Sequence, residues 1–269
     1  MPSTYAHYRF GEQVRNNMEK EKQDIIARNI FLYRIGLHGP DLFFYYNPIM
    51  KNVINQIGSE NHEMSGKEFF TRFLHVIENH KEDERYLAYA YGVLCHFALD
   101  RACHGYVEEK TEEGQVGHIE IETEFDRFLL LKDEKEPLSY HMAKHIRVEK
   151  EYAKVIAAFY PGTDSKAVLR SLRDFVFYHE ILRAPRPLKR NLLYGLMKMV
   201  GVYDSFHGHI VNVTPNEYCV DSNAMLYSLY KKGRKEALVL FHEFELGNDY
   251  SKETEELLSY NFESKKGMV

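Results

Sequence analysis

Apolar residues in this chain recur mostly at the 3.6-residue period, and few windows alternate with period two, so the pattern predicts helices throughout. Residues 17–34 read as one amphipathic helix ending near Gly36, and Ser65 is placed to cap a helix from about Gly66 to Asn79. From about Glu84 to Val107 the stretch is strongly apolar, as a buried central helix requires. A polar, Gly-containing loop, Glu108 to Gly117, then leads to a helix from about His118 to Leu131. Further helices are expected over 137–159, 165–183, 187–200, 221–231 and 233–246. Tyr160-Pro-Gly-Thr-Asp164 is a turn in which Pro and Gly stop one helix and Asp164 or Ser165 caps the next. Ala184-Pro-Arg-Pro187 is a second break, and the last dozen residues are expected to fray. There is no internal repeat, low-complexity tract or long linker. The expectation is a single all-α domain over 1–269, with candidate chemistry in roughly 1–131 and scaffold helices in roughly 137–257.

Chemistry enters with the central helices. His96-Phe-Ala-Leu-Asp100-Arg-Ala-Cys-His104 sets three metal-ligand types at i, i+4 and i+8. At about 100° per residue each four-residue step advances only about 40°, so all three share one face. His118-Ile-Glu-Ile-Glu122 repeats the device. Imidazole and carboxylate together suit zinc or a similar divalent metal, manganese and ferrous iron remaining open. A solvated polar face is the alternative for one such pair. Two phased sets inside a segment rich in Leu, Phe, Ala and Ile favour metal.

Composition narrows the function classes. With 269 residues, 44% of them hydrophobic, the chain can bury a large core. A net charge of −5 argues against unspecific polyanion binding. Three cysteines are too few, and odd in number, for a disulfide framework; Cys95 and Cys103 read as small buried apolar residues. No run of 18 apolar residues would span a membrane, and the N-terminus lacks a secretory pattern, so the expected address is cytoplasmic. With 20 Tyr, 17 Phe and no Trp, an aromatic core and an aromatic-lined pocket are both expected.

Three further positions gain meaning from their order. His7, Asp41 (in a Gly-Pro turn before Phe43, Phe44 and Tyr45), His62, His96-x-x-x-Asp100, His104 and His118-x-x-x-Glu122 together resemble the zinc-dependent phospholipase C and S1/P1-type nuclease superfamily, over roughly the first 130 residues. The resemblance implies a mostly helical domain holding two or three zinc ions that cleave phosphoester bonds. By position it makes His62, His96 and Asp100 ligands of one metal of a close pair. Asp100 would bridge to a second metal shared with His7, and His104, His118 and Glu122 would hold a third. Asp41 is similar to the family acid beside the pair that binds or orients the attacking water. Secreted members complete one site with the α-amino group of a processed N-terminal residue, a Trp in the best-known enzymes. This chain has no Trp, and loss of the initiator methionine would expose Pro2. The implied centre is therefore two-metal, or completed by water.

The implied activity is a metal-activated water attacking a phosphodiester, of a phospholipid head group or a related small substrate. A single-strand nuclease and a non-catalytic metal-binding helical protein are the rivals. The acidic balance counts against the nuclease, and the absence of any His-Asp dipeptide against HD-type phosphohydrolases. Phe43, Phe44 and Tyr45 are candidate pocket residues beside Asp41. Asp126, in phase with His118 and Glu122, is a candidate hydrogen-bond partner of a ligand imidazole. His38 is a runner-up ligand. His141 and His145 read as solvated, His207-Gly-His209 as an adventitious metal contact, and Tyr178-His-Glu180 and His242 as helix-surface or core groups.

Overall fold

The longest apolar stretch becomes the axis of an all-helical bundle, seen in a computed structural model that describes residues 4–247 and 249–266. Pro2 lies outside the described residues. In order, the helices are α1 (Thr4–Arg15), α2 (Lys20–Arg28), α3 (Ile30–Gly36), α4 (Val53–Glu63), α5 (Gly66–Asn79), α6 (Glu84–Glu112) and α7 (His118–Lys132). There follow α8 (Lys150–Ala157), α9 (Ser165–Leu182), α10 (Pro187–Met199), the single turn α11 (Tyr203–Phe206), α12 (Val220–Glu243) and α13 (Lys252–Leu258). No strand occurs among the described residues beyond one isolated bridge, Tyr260 to Lys266, and none of their helices is long and apolar enough to cross a membrane.

Helix α6 is buried on every side from Ala88 to Asp100, as a helix apolar all round must be. Helices α3 and α12 lie against it. The α3 crossing is close because Gly36 faces Gly92. A Cβ on Gly36 would stand 2.3 Å from the Tyr89 carbonyl, and one on Gly92 2.1 Å from that of Tyr33. Around α6 the rings of Phe69, Phe70, Phe73, Phe97, Tyr160 and Phe262 meet largely edge to face, which is the expected aromatic core. Cys95 and Cys103 are buried free thiols within it, and burial pushes the Cys95 thiol up to about 12.

Caps at Ser65 and Asp164 form as read, each side chain accepting from a backbone amide of the first turn. Elsewhere tertiary demands override local pattern. The helix expected over 17–34 breaks at Asn29, whose side-chain amide donates to the Ile25 carbonyl. The pair expected over 221–246 is one helix, α12, and α6 runs on to Glu112 through the expected loop. Of the helix expected over 137–159 only α8 forms. Residues 138–149 make irregular turns instead, burying Ala143 and His145. The tail does not fray within the described residues. Phe262 is fully buried, its amide donates to the His62 carbonyl, and the Ser264 hydroxyl bonds the Asp100 and Arg101 carbonyls.

A second, small apolar cluster lies under α10, where Met197, Ala184 and Ile210 are packed by Leu193, Tyr194 and Phe206.

Candidate metal centre

His96, Asp100 and His104 lie on successive turns of α6 and are all buried. Asp100 occupies the middle. One carboxylate oxygen stands 3.1 Å from His7 Nε2 and 4.0 Å from His104 Nε2; the other stands 3.1 Å from His96 Nε2. Two elements distant in sequence complete this side. A 3-10 turn over Gly39–Tyr45 carries Asp41, and α4 carries His62. Gly39, at φ +43°, lets that turn press against α6, where a Cβ would meet the His96 ring at 2.5 Å. Asp41 Oδ1 thereby comes to 2.9 Å from His62 Nε2 and 3.8 Å from His96 Nε2. Beyond His104, Glu122 Oε1 lies 3.6 Å from His104 Nε2 and 3.2 Å from His118 Nε2. Two sets result, Asp41/His62/His96/Asp100 and His104/His118/Glu122, the donor atoms of each within 4.8 Å of one another.

The hydrogen bonding around these groups tests whether a cation fits. Nε2 of His7, His62, His96 and His104, Oδ1 of Asp41 and both Asp100 oxygens are buried, and none has a hydrogen bond among the described residues. The close approaches among these atoms lack hydrogen-bonding geometry, whereas His118 Nε2 and Glu122 Oε1 do pair, at 3.2 Å. Each such group costs roughly 1–3 kcal/mol when left unpaired, more if charged, and a divalent ion would satisfy several at once. Ring orientation agrees. The Gly58 carbonyl accepts from His62 Nδ1 at 2.7 Å, which leaves the Nε2 lone pair aimed at the cluster.

Protonation follows from burial and neighbours. Burial drives His96 down to about 4, against the pull of Asp100 and Asp41, so its imidazole is neutral at pH 7. Burial opposes the charge of Asp100, yet His96, His104 and His7 hold it well below the usual carboxylate range. Glu122 is likewise held down against burial, by His104 and His118. At His62 burial also opposes charge, but the Asp41 carboxylate outweighs it and raises the pKa.

A cavity of about 630 Å³ opens beside the cluster, with Asp41, His118 and Glu122 in its lining. Phe44 and Tyr45 line it too. Phe43 does not: it is fully buried and packs edge-on against Tyr160, because the 3-10 turn points it into the core. Thr4, Phe175, His179, Phe206 and His209, none singled out as a pocket residue from sequence, complete much of the wall. His179 is held by its Nδ1–H to the Phe175 carbonyl at 2.7 Å, and its Nε2 accepts from the Thr4 hydroxyl at 2.6 Å.

Other expectations need correction. Asp126, expected beside a ligand ring, bonds backbone: its carboxylate accepts from the Tyr5 and Ala6 amides at 2.9 and 2.7 Å. It thus caps α1 from another helix and fixes the turn that carries His7. His38 joins neither ligand set, its Nε2 lying 2.7 Å from His145 Nε2. His145 is buried, stacked on Tyr8, where a solvated residue was expected. His141 is exposed, at 2.8 Å from Glu180.

The family model for zinc-dependent phospholipase C matches residues 6–172, which include all eight of the expected ligand positions. It does not bear on the nuclease branch of the resemblance. No curated protein and no solved structure shows a match to the chain. With more than half its length matched, and with buried His/Asp clusters that could bind metal, the chain belongs to the zinc-dependent phospholipase C family.

Proposed function

We propose that this chain is a phospholipase C-type phosphodiester hydrolase acting on phospholipid. The carrying observation is a set of buried, unpaired imidazole and carboxylate atoms beside a cavity partly walled by Phe44, Tyr45 and Phe175. In this reading Asp41, His62, His96 and Asp100 would hold one zinc ion. Asp100 and His7 would hold a second, and His104, His118 and Glu122 a third. Bound there, zinc would supply acidified water and positive charge for the phosphate oxygens.

The chain's own groups do the rest. Asp41, a ligand that also lines the cavity, orients the attacking water and accepts its proton. Water oxygen bonds to phosphorus, the glycerol-side ester bond breaks, and the leaving alkoxide takes up the proton, which leaves a diacylglycerol and a phosphorylated head group. Phe44, Tyr45 and Phe175 exclude bulk water and give the acyl-bearing part an apolar wall.

The test is turnover of phosphatidylcholine, a chromogenic phosphate diester and single-stranded DNA side by side, by protein purified without chelator and analysed for zinc. Chelator-sensitive release of diacylglycerol, with DNA intact, is the expected result. Cleavage of DNA alone would move the reading to the nuclease chemistry. Bound zinc without any turnover would leave a metal-binding protein and overturn the catalytic reading.

A further inference from the structure

Helix α10 lies beyond the family-matched residues, and its side chains are distributed in an unusual way. Leu188, Leu192, Leu196 and Met199 fall at i, i+4, i+8 and i+11, one stripe of the helix, and all four face outward. Leu188 is 83% exposed and Met199 79%, and Val200 extends the stripe. The opposite face, Leu193 and Met197, already packs on the small cluster with Ile210 and Phe206. The outer stripe is therefore surplus to the fold. A second apolar prominence, Ile49, Met50 and Val53, stands out on the segment that follows Asp41, with Met50 72% exposed. Both reach one place: Pro48, Ile49 and Lys51 from one side, and Arg183, Ala184, Arg190 and Val202 from the other, line the same cavity beside the metal centre.

Charge says what covers these surfaces. From Arg183 to Val202 the chain carries Arg183, Arg186, Lys189, Arg190 and Lys198 and no acidic residue, although the whole protein bears a net charge of −5. Lys51 repeats the pattern between Met50 and Val53. An apolar stripe flanked by cations is the composition of a helix lying in a bilayer interface, with the cations drawn to anionic head groups. A protein partner or a second copy would equally cover apolar surface. Neither would explain why both prominences border a cavity built to admit a molecule.

We propose that α10 and the segment Ile49–Val53 dock the protein on an anionic lipid surface, so that a phospholipid enters the cavity from the bilayer. This rests on the phospholipase reading for its purpose, but the docking can be tested without it.

The experiment measures co-sedimentation of the zinc-loaded full-length protein with phosphatidylcholine vesicles, with and without phosphatidylglycerol. It is paired with turnover of a short-chain phosphatidylcholine below its micelle concentration. The wild type should partition to the phosphatidylglycerol vesicles in preference, and added salt should weaken that preference. Leu188→Ser with Leu192→Ser should lower partition by about tenfold or more, and Arg186→Glu with Lys198→Glu should abolish the preference. Both pairs should leave short-chain turnover unchanged, because none of the four residues lines the cavity. Partition that survives chelation, with turnover lost, supports docking separately from catalysis. Wild-type protein that stays in solution, or serine variants that bind as wild type does, overturns the proposal. So does a wild-type dimer in solution that the serine variants dissociate, since the stripe would then belong to a second copy.

Discussion

At Asp100 a carboxylate is fully buried among His7, His96 and His104, while along α10 Leu188 and Met199 stand in solvent. The two regions depart from the ordinary partition of side chains in opposite directions. Either departure costs free energy in the isolated chain: buried polar atoms lose water, and exposed leucines order it. What differs is the partner each implies. The first region is buried and rich in lone pairs; the second is exposed, apolar and basic at its margins. Between them lies the cavity whose lining includes Asp41 and Glu122 as well as Arg190 and Val202. On the phospholipase reading, the molecule that bridges them carries an anionic centre and a long apolar part.

The comparison breaks most directly at Asp100. Asp100→Ala removes both oxygens that face His7 and His96, so metal content and activity should fall together. Turnover should drop on the order of a thousandfold, and elemental analysis should find at least one zinc fewer per chain. Full activity with full metal content would remove the shared-carboxylate scheme. Vesicle partition of this variant should be unchanged, which keeps the two regions separable.

How far each region could be read from sequence follows from the range of the interactions that make it. His96-x-x-x-Asp100 and His118-x-x-x-Glu122 are legible because an i, i+4 spacing fixes a shared face within one helix. His7, Asp41 and His62 came only through the family resemblance, since no local rule brings α1, a 3-10 turn and α4 to one point. The strap made by Phe262 and Ser264 across His62, His96 and Asp100 was missed: a short polar tail gives no periodic signal. Asp126 shares the phase of Glu122, but phase does not reveal that α1 presents bare amides to it. For α10 the pattern gave the helix and its boundaries. Apolar residues occur on both of its faces, so sequence could not say which one packs.

Not every buried imidazole belongs to the two candidate ligand sets, and acid titration should separate the two kinds. His145 is driven down to about 3, chiefly by burial, with His179 and Arg34 adding to it. Its ordinary value is 6.5. Between those values the unfolded chain binds a proton that the folded chain refuses, so stability rises with pH there and is lost as pH falls from about 6.5 toward 3. Each such group contributes about 1.4 kcal/mol per pH unit. In urea unfolding from pH 5 to 6, His145→Gln should flatten the slope by about that amount, and above pH 7 the change should vanish. Chelation should not alter the difference, because His145 is outside both ligand sets. A slope difference that appears only with zinc bound would place His145 in the centre after all.

The smallest expected effect bears hardest on α10. If its outer stripe is surplus to folding, Leu188→Ser with Leu192→Ser should change unfolding free energy by no more than about 1 kcal/mol, the cost of helix propensity alone. Met197, on the inner face and 8% exposed, is the control: Met197→Ala should cost about 2 kcal/mol or more. Both are read by urea unfolding of the zinc-loaded protein without lipid. A large loss from the serine pair would mean that the stripe is packed in the folded protein, by a second copy if the loss varied with protein concentration. A small loss leaves an exposed apolar surface that the fold does not use, as docking on an occupant outside the chain requires.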